Sequence, residues 1–418
     1  MIAFLLAAMS AAPDVFIVSV DTLRADRLGC YGYTHPTTPN IDAFANDALI
    51  FDDCVAEVPL TSPSFGAMLT SRYPRMNGAA RNGLPLPPGV PALTEQFKAA
   101  GYQTVCVTSN WTLKADLSGL DRGFDVYDDG FKDKRWGFMI AERFADDVTK
   151  SALKLLNERD AGKPMFAWFH YSDPHAPYKF HDKFHPVGKP LWKMTEVEAT
   201  RARYDSEVAY TDSEIGKVLD ALPKENAVIL FVADHGESLH EHEYLGHGRR
   251  LYHNSIRVPC ILRAPGVAPG RSNAPARLVD IAPTLLSLAE LPPMKDMFGV
   301  DLINHSPPMD RARVVETYGG AVPGVPGAKA VMTARPPMRQ SVIKGEWKLI
   351  VGGPGPELFN LRTDPGELKN LIDEEKPRAA ELRALIDEWD EKTPKGTTEA
   401  AELSDEDVDA LKSLGYVE

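Results

Sequence analysis

DVFIVSVDTLRAD, residues 14–26, is the stretch on which the fold turns. After Asp14 it runs through Val15, Phe16, Ile17, Val18 and Val20, rich in β-branched residues. That is the pattern of a strand buried on both faces in the middle of a sheet. It ends at Asp21, an acidic residue in the place where a buried strand gives out. The runs TVCVTSN, PMFAWFHYSD, AVILFVADHG and VPCILRAPG repeat the pattern. Helical stretches lie between them: PALTEQFKAAG, ERFADDVTKSALKLLNER, EATRARYDSEVAYTDSEIGKVLDAL and VDIAPTLLSLAEL. Strands alternating with helices predict an α/β fold built on a large, mostly parallel sheet.

In such sheets a site gathers at the carboxyl ends of the strands. Four of these ends carry polar residues: Asp21, Asn110, Asp173 with His175, and Asp234 with His235. One acidic strand end is common; several converging on one edge make a site.

From about Arg335 the texture changes. RQSVIKGEWKLIVGG and ELFNLRTDPGELKNL read as short antiparallel strands with a turn at Asp364-Pro365-Gly366. A polar helix, EKPRAAELRALIDEWDEK, follows. After the link TPKGTTEAA, Ser404 caps a last helix with Glu406 and Asp407 in its first turn. The expected division is a leader over 1–12, a catalytic α/β domain over 13–334, a small antiparallel subdomain with a helix over 335–395, and a linker with a docking tail over 396–418.

The chain has 418 residues, enough for a large core. Its formal charge of -13, with no Lys/Arg-rich block, excludes nucleic acid as the expected partner. An anionic substrate stays open, because a bound metal reverses the local sign. The four cysteines, Cys30, Cys54, Cys106 and Cys260, form no CxxC pair, which excludes a compact zinc finger and reads best as buried free thiols. MIAFLLAAMSAAPD has the apolar run and small residues of an export leader, although it is short and lacks a basic start. It predicts a periplasmic or secreted protein, the alternative being cytoplasmic. No other stretch is apolar enough to span a bilayer.

VPLTSPSFGAMLTSRYP, residues 58–74, places Thr61, Ser62 and Pro63 where a helix begins. Pro63 suits the first turn, and Thr61 or Ser62 would cap it. The positive helix end and a nearby metal would stabilise an alkoxide there, which makes Thr61 a candidate nucleophile; a plain N-cap is the commoner role for such a residue. In VADHGE, Asp234 and His235 can reach one cation across a sharp turn, with Asp21 as third ligand. Carboxylate with imidazole suits Zn or Mn better than Mg or Ca, with Ca kept open. In YSDPHAPY, His175 is held between two prolines as a substrate contact or general acid would be. HEHEYLGHG adds three histidines, of which His247 is the candidate; a solvated loop with one useful member is the commoner outcome.

Together and in this order, these stretches resemble the sulfatase family of the alkaline phosphatase superfamily, over roughly Asp14 to Leu371. IVSVDTLRADRLGCYGY with TTPNID, TSPSF followed by LTSR, DPHAPY, AVILFVADHGE, VDIAPTLL and ELFNLRTDPGELKNL each match a family stretch. The resemblance implies a metal-dependent ester hydrolase. The family's nucleophile is a cysteine converted to formylglycine, and here that position is Thr61, so no formylglycine is expected. Phe65 stands where the family has an arginine, Thr22 where it has a second aspartate, and Asn110 and His247 where it has lysines. Asp234-His235 resembles the variant in phosphonate monoester hydrolases. A threonine nucleophile beside a metal resembles nucleotide pyrophosphatases and phosphoethanolamine transferases.

The expected activity is hydrolysis of a phosphate diester or phosphonate monoester, on a small-molecule, glycan or lipid substrate. Thr61 would attack, Asp21, Asp234, His235 and the Thr61 oxygen would hold one divalent metal, and His175 and His247 would contact the transferring group, with Asn110 beside them. Arg24, Arg81 or Arg249 would replace the missing cations. Three rival readings stand beside it: a sulfate ester hydrolase without formylglycine, a head-group phosphotransferase, and a degenerate binder of sulfated or phosphorylated glycans. Specificity would lie in loops such as WGFMIAERF (136–144) and HPVGKPLWKMTE (185–196).

Overall fold

The computed structural model describes residues 12–131, 143–186, 188–319 and 338–396, with Ser404, Asp407 and Asp409. The expected leader, most of the 136–144 loop and most of the terminal helix lie outside these residues. Eight strands form the main sheet, in the order Gly270–Ser272, Leu49–Phe51, Cys260–Arg263, Ala227–Ala233, Asp14–Val20, Met165–Tyr171, Gln103–Val107, Val126–Asp128. Only Cys260–Arg263 runs against its neighbours. The expected mostly parallel sheet is therefore present.

Asp14–Val20 is central and buried at every position, as are its neighbours Met165–Tyr171 and Ala227–Ala233. That is why their sequences are apolar throughout instead of alternating. The register pairs Val20 with Tyr171 on one side and with Ala233 on the other. One residue further on, the same register brings Asp21, Ser172 and Asp234 out side by side at the carboxyl edge.

The expected helices form at Leu93–Ala99, Ala145–Asn157, Glu196–Ala221 and Ile281–Leu288. Glu196–Ala221 grows out of the 185–196 stretch, where Thr195 and Glu198 close a capping box: the Glu198 N–H donates to Thr195 Oγ1 and the Thr195 N–H to Glu198 Oε2. Among the described residues no helix is long and apolar enough to cross a membrane. All four cysteines are free thiols, three of them buried.

A second, antiparallel sheet has the order Arg313–Thr317, Arg339–Lys344, Trp347–Gly352, Glu357–Asn360. Helix Lys376–Lys392 packs on it through Leu382 and Ile386, against Val342, Leu349 and Leu358. This sheet begins upstream of residue 335. Its first strand pairs with residues more than twenty positions later, so no tight-turn signal marks it. The Glu316 N–H donates to the Glu57 carbonyl, and Arg75 forms a buried ion pair with the Glu316 carboxylate. These contacts join the small sheet to the segment that leads into Thr61.

Candidate active site

Asp21, Asp234 and His235 are fully buried, and their ligand-type atoms lie within 4.8 Å of one another. His235 Nε2 is 3.7 Å from Asp21 Oδ1 and 3.4 Å from Asp234 Oδ2. His235 Nδ1 donates to the Gly236 carbonyl at 2.9 Å, which leaves the Nε2 lone pair facing the two carboxylates. Burial, with His247 adding to it, lowers the His235 pKa to about 3, so the ring is neutral, the form that binds metals.

The carboxylates differ. Burial pushes Asp21 up, but His170 and the neighbouring histidines outweigh it and hold Asp21 well below the usual range. Burial and the charge of Asp21 drive Asp234 well above it. Two facing carboxylates cannot both ionise cheaply without a cation between them. Asp21 Oδ1 and Asp234 Oδ2 have no hydrogen-bond partner among the described residues. Two orphaned carboxylate oxygens and an imidazole lone pair fit one divalent cation. Thr22, where a second aspartate would stand, has a left-handed φ of 55° and donates its N–H to Asp234 Oδ1 at 3.2 Å.

Thr61 opens the helix Thr61–Thr70, buried along its whole length. The expected cap is displaced by one residue: Leu60, with φ −146° and ψ 136°, is the N-cap and Thr61 is the first helical residue. A second difference concerns the helix amides. The Ser62 N–H donates to Asn82 Oδ1 at 3.1 Å, and the Ser62 hydroxyl donates to the same oxygen at 2.9 Å. Asn82 therefore takes up a helix-end donor that a bound anion would otherwise use. Thr61 Oγ1 sits 3.4 Å from His235 Nε2. The hydroxyl thus faces the same point as the carboxylates. Ser64 ties the helix to this edge, donating to the Asp234 carbonyl at 2.7 Å.

Asn110 is also buried here. Its Nδ2 donates to Asp21 Oδ2, and its Oδ1 accepts from the Thr112 N–H at 2.9 Å and the Thr112 hydroxyl at 2.8 Å. His175, His247 and His235 stand in a row, with ring centroids 5.0 Å apart between the first two and 4.5 Å between the last two. His175 Nδ1 donates to the Ala176 carbonyl at 2.7 Å. The other loop histidines turn elsewhere: His242 stacks on Tyr252, and His240 Nε2 is 3.4 Å from Thr200 Oγ1.

The arginines answer differently. Arg24 gives its guanidinium to Asp26 through two bonds of 2.8 and 2.6 Å, and to the Glu237 carbonyl and Glu241 Oε1 at 3.0 Å each. It braces the loop and is not available to a substrate. Arg81 is buried with its guanidinium over the Tyr318 ring, and Arg249 is exposed.

Five residues were not singled out from the sequence: Glu237, Ser172, Trp168, Ser19 and His170. Glu237, fully buried, sets Oε1 3.2 Å from His247 Nδ1. Ser172 donates to Asp21 Oδ2 at 3.3 Å. Trp168 Nε1 donates to Ser19 Oγ at 2.8 Å, and Ser19 Oγ lies 2.9 Å from His170 Nδ1. Ser19 thus ties Trp168 to His170, whose Nε2 lies 3.8 Å from Asp21 Oδ2. Phe65, in the arginine position, is fully buried against Trp168 and His170 with centroids 4.8 and 4.9 Å apart. Phe65 thus fills the floor under Asp21 with a ring. Only DHGE in the sequence pointed toward Glu237; the others depend on cross-strand register.

A mostly parallel sheet with a carboxylate–carboxylate–imidazole cluster at its central carboxyl edge, facing a hydroxyl at a helix start, defines the alkaline-phosphatase-like class. The Sulfatase family model matches residues 13–291, and the chain belongs to that family. It is similar to the ulvan-active sulfatase of Formosa agariphila, 28% identical over 97% of this chain and 83% of that one. It is also similar to the choline-sulfatase of Rhizobium meliloti, 26% identical over 90% and 85% of the two chains. Among solved structures, a 2-O GAG sulfatase matches with TM-score 0.74 at 22% identity, covering 91% of this chain and 92% of that one. A phosphonate monoester hydrolase from Silicibacter pomeroyi matches with TM-score 0.69 at 20% identity, covering 91% and 94%. These last two likenesses concern the fold.

Proposed function

We propose that the chain hydrolyses a phosphate diester or phosphonate monoester, with Thr61 as nucleophile. The observation that carries this reading is the position of Thr61: its hydroxyl faces the Asp21–Asp234–His235 cluster, at a position where formylglycine cannot form. A divalent cation held by Asp21, Asp234 and His235, Zn or Mn by its donors, would supply Lewis-acid polarisation and lower the Thr61 hydroxyl pKa.

Thr61 Oγ attacks phosphorus in line, the P–O bond to the leaving alcohol breaks, and His175 or His247 supplies the proton to that oxygen. The threonine ester has no second hydroxyl through which to eliminate. Water must therefore attack phosphorus and break the P–Oγ bond, which restores Thr61. That chemistry suits phosphorus better than sulfur. The positions around the point of attack carry imidazoles and an amide, and Arg24 is engaged elsewhere, so a monoanionic ester suits the site better than a dianionic one. The ulvan-active relative points to a sugar-borne ester group and the choline-sulfatase to a small alcohol, so either substrate class is compatible with the reading.

The same relatives favour a second reading, a sulfate ester hydrolase that dispenses with formylglycine. One assay separates the two. Purified protein with Mn or Zn is given an aryl phosphodiester, a phosphonate monoester, a phosphate monoester and a sulfate, with Thr61→Ala as control. Turnover of the diester or phosphonate, lost in Thr61→Ala, is the expected result. Turnover of the sulfate alone, or full activity in Thr61→Ala, would overturn the proposal.

A further inference from the structure

Asp407 belongs to the C-terminal tail, yet it is only 3% exposed and meets the loop that carries Asn110. Its carboxylate is divided between two tasks. Oδ2 accepts from the Ser404 N–H at 3.0 Å and from the Ser404 hydroxyl at 2.7 Å, which fixes the side chain within the tail. Oδ1 accepts from Trp111 Nε1 at 2.9 Å and lies 3.5 Å from Lys114 Nζ. Lys114 in turn sits over the Trp111 ring, 4.4 Å from its centroid.

Trp111 opens the short turn Trp111–Leu113, and Asn110 is its N-cap. The orientation of Asn110 is therefore set by the seat of this turn. From the body of the protein, Tyr127 donates to the Leu113 carbonyl at 2.6 Å, and the Arg143 N–H donates to the Ser109 carbonyl at 2.9 Å. Among the described residues, the acceptor for the indole N–H is supplied by the tail. A buried indole N–H left unpaired is costly, so the contact has an energetic reason to persist.

We infer that Asp407 is a positioning residue: through Trp111 it holds Asn110 against Asp21, so the C-terminal tail helps set the metal-binding and reacting edge of the main domain. This rests on the reading of Asp21 as a metal ligand, and it does not depend on which ester is cleaved. Partners one shell outside a metal ligand, as Asn110 is here, are typically worth ~10- to 100-fold in affinity or activity, and Asp407 acts two steps further out, so the low end is expected.

The test uses full-length variants and two readouts: Mn or Zn affinity by calorimetry, and kcat on whichever ester the parent enzyme turns over. Asp407→Ala and Trp111→Phe are each expected to weaken metal affinity and lower kcat by about tenfold. The double variant should be no worse than either single, because both remove one interaction. Asp407→Asn keeps one acceptor oxygen, for which the indole and Ser404 compete, so it should recover part of the loss, which a mere loss of tail packing would not predict. Parent-like metal affinity in Asp407→Ala, losses that multiply in the double variant, or no recovery in Asp407→Asn would each overturn the inference. If the Thr61 proposal alone fails, the affinity losses remain.

Discussion

Thr61 Oγ1 lies 3.4 Å from Nε2 of His235, although the two residues come from opposite sides of the edge, a helix start and the turn after a buried strand. The His235 proton is held on Nδ1 by the Gly236 carbonyl. The hydroxyl and the imidazole lone pair therefore converge on the point that Asp21 and Asp234 also face.

With Thr61 as the proposed nucleophile, the residue should be required for turnover and dispensable for folding. Thr61→Ala should lower kcat on the preferred ester by at least about 10³-fold, in the range seen when a nucleophile is removed. Thr61→Ser should keep measurable turnover. The melting temperatures of both should stay close to the parent's. Steady-state kinetics with a thermal melt checks all three.

Metal should stabilise the protein as well as activate it. Without a cation, burial and Asp21 keep the Asp234 carboxyl protonated well above its ordinary range. An acid whose folded pKa is raised contributes stability below its unfolded pKa and loses it as pH rises through the folded value. Metal-free protein should therefore weaken from this group as pH climbs above about 4. Added Mn or Zn should reverse the loss and release protons on binding. Melts with and without chelator across pH, with calorimetry in two buffers of different ionisation heat, test this.

Glu57 gives a separate pH signature away from the cluster. It is buried, Oε2 has no hydrogen-bond partner among the described residues, and burial with Asp280 nearby raises its pKa from 4.5 to about 7 despite Arg277. Its stabilising contribution is complete below pH 4.5 and is lost as pH rises through about 7. Glu57→Gln should remove a loss of up to about 3 kcal/mol across that window. Denaturant titrations of both proteins at pH 4.5, 6 and 8 measure the difference.

Phe65 tests whether the floor of the site is a packed core. Phe65→Ala should cost about 3–5 kcal/mol, as large-to-small changes at closed core sites do. Phe65→Arg, the residue the family resemblance places there, should also destabilise by several kcal/mol, since it sets a charge among the packed rings of Trp168 and His170. A stable, folded Phe65→Arg would show that the pocket tolerates the family residue.

Much of this was legible in the sequence, for physical reasons. A central parallel strand is buried on both faces, so Val15 to Val20 must be apolar, and Asp21 stands out where the strand ends. The same logic marks Asp234 with His235. Thr61 was placed to within one residue, because Pro63 fixes the first turn but not which residue caps it. The roles of Ser172, His170 and Glu237 come from register between strands and from loop packing, which a local pattern does not carry. Arg24 looks like a free cation in the sequence because two of its partners, Glu237 and Glu241, lie more than two hundred residues away; Asp26, two residues on, is a partner that a local reading could have found. The strand Arg313–Thr317 was missed for the same reason: its partner follows after a long connection.

The most direct test of the central claim is to trap the covalent intermediate. The metal-loaded enzyme is acid-quenched during turnover of an aryl phosphonate or phosphodiester, and the peptide containing Thr61 is sequenced by mass spectrometry. The account predicts a phosphoryl or phosphonyl mass on Thr61, absent from Thr61→Ala. The adduct on another residue, or turnover that persists in Thr61→Ala without any adduct, would contradict it.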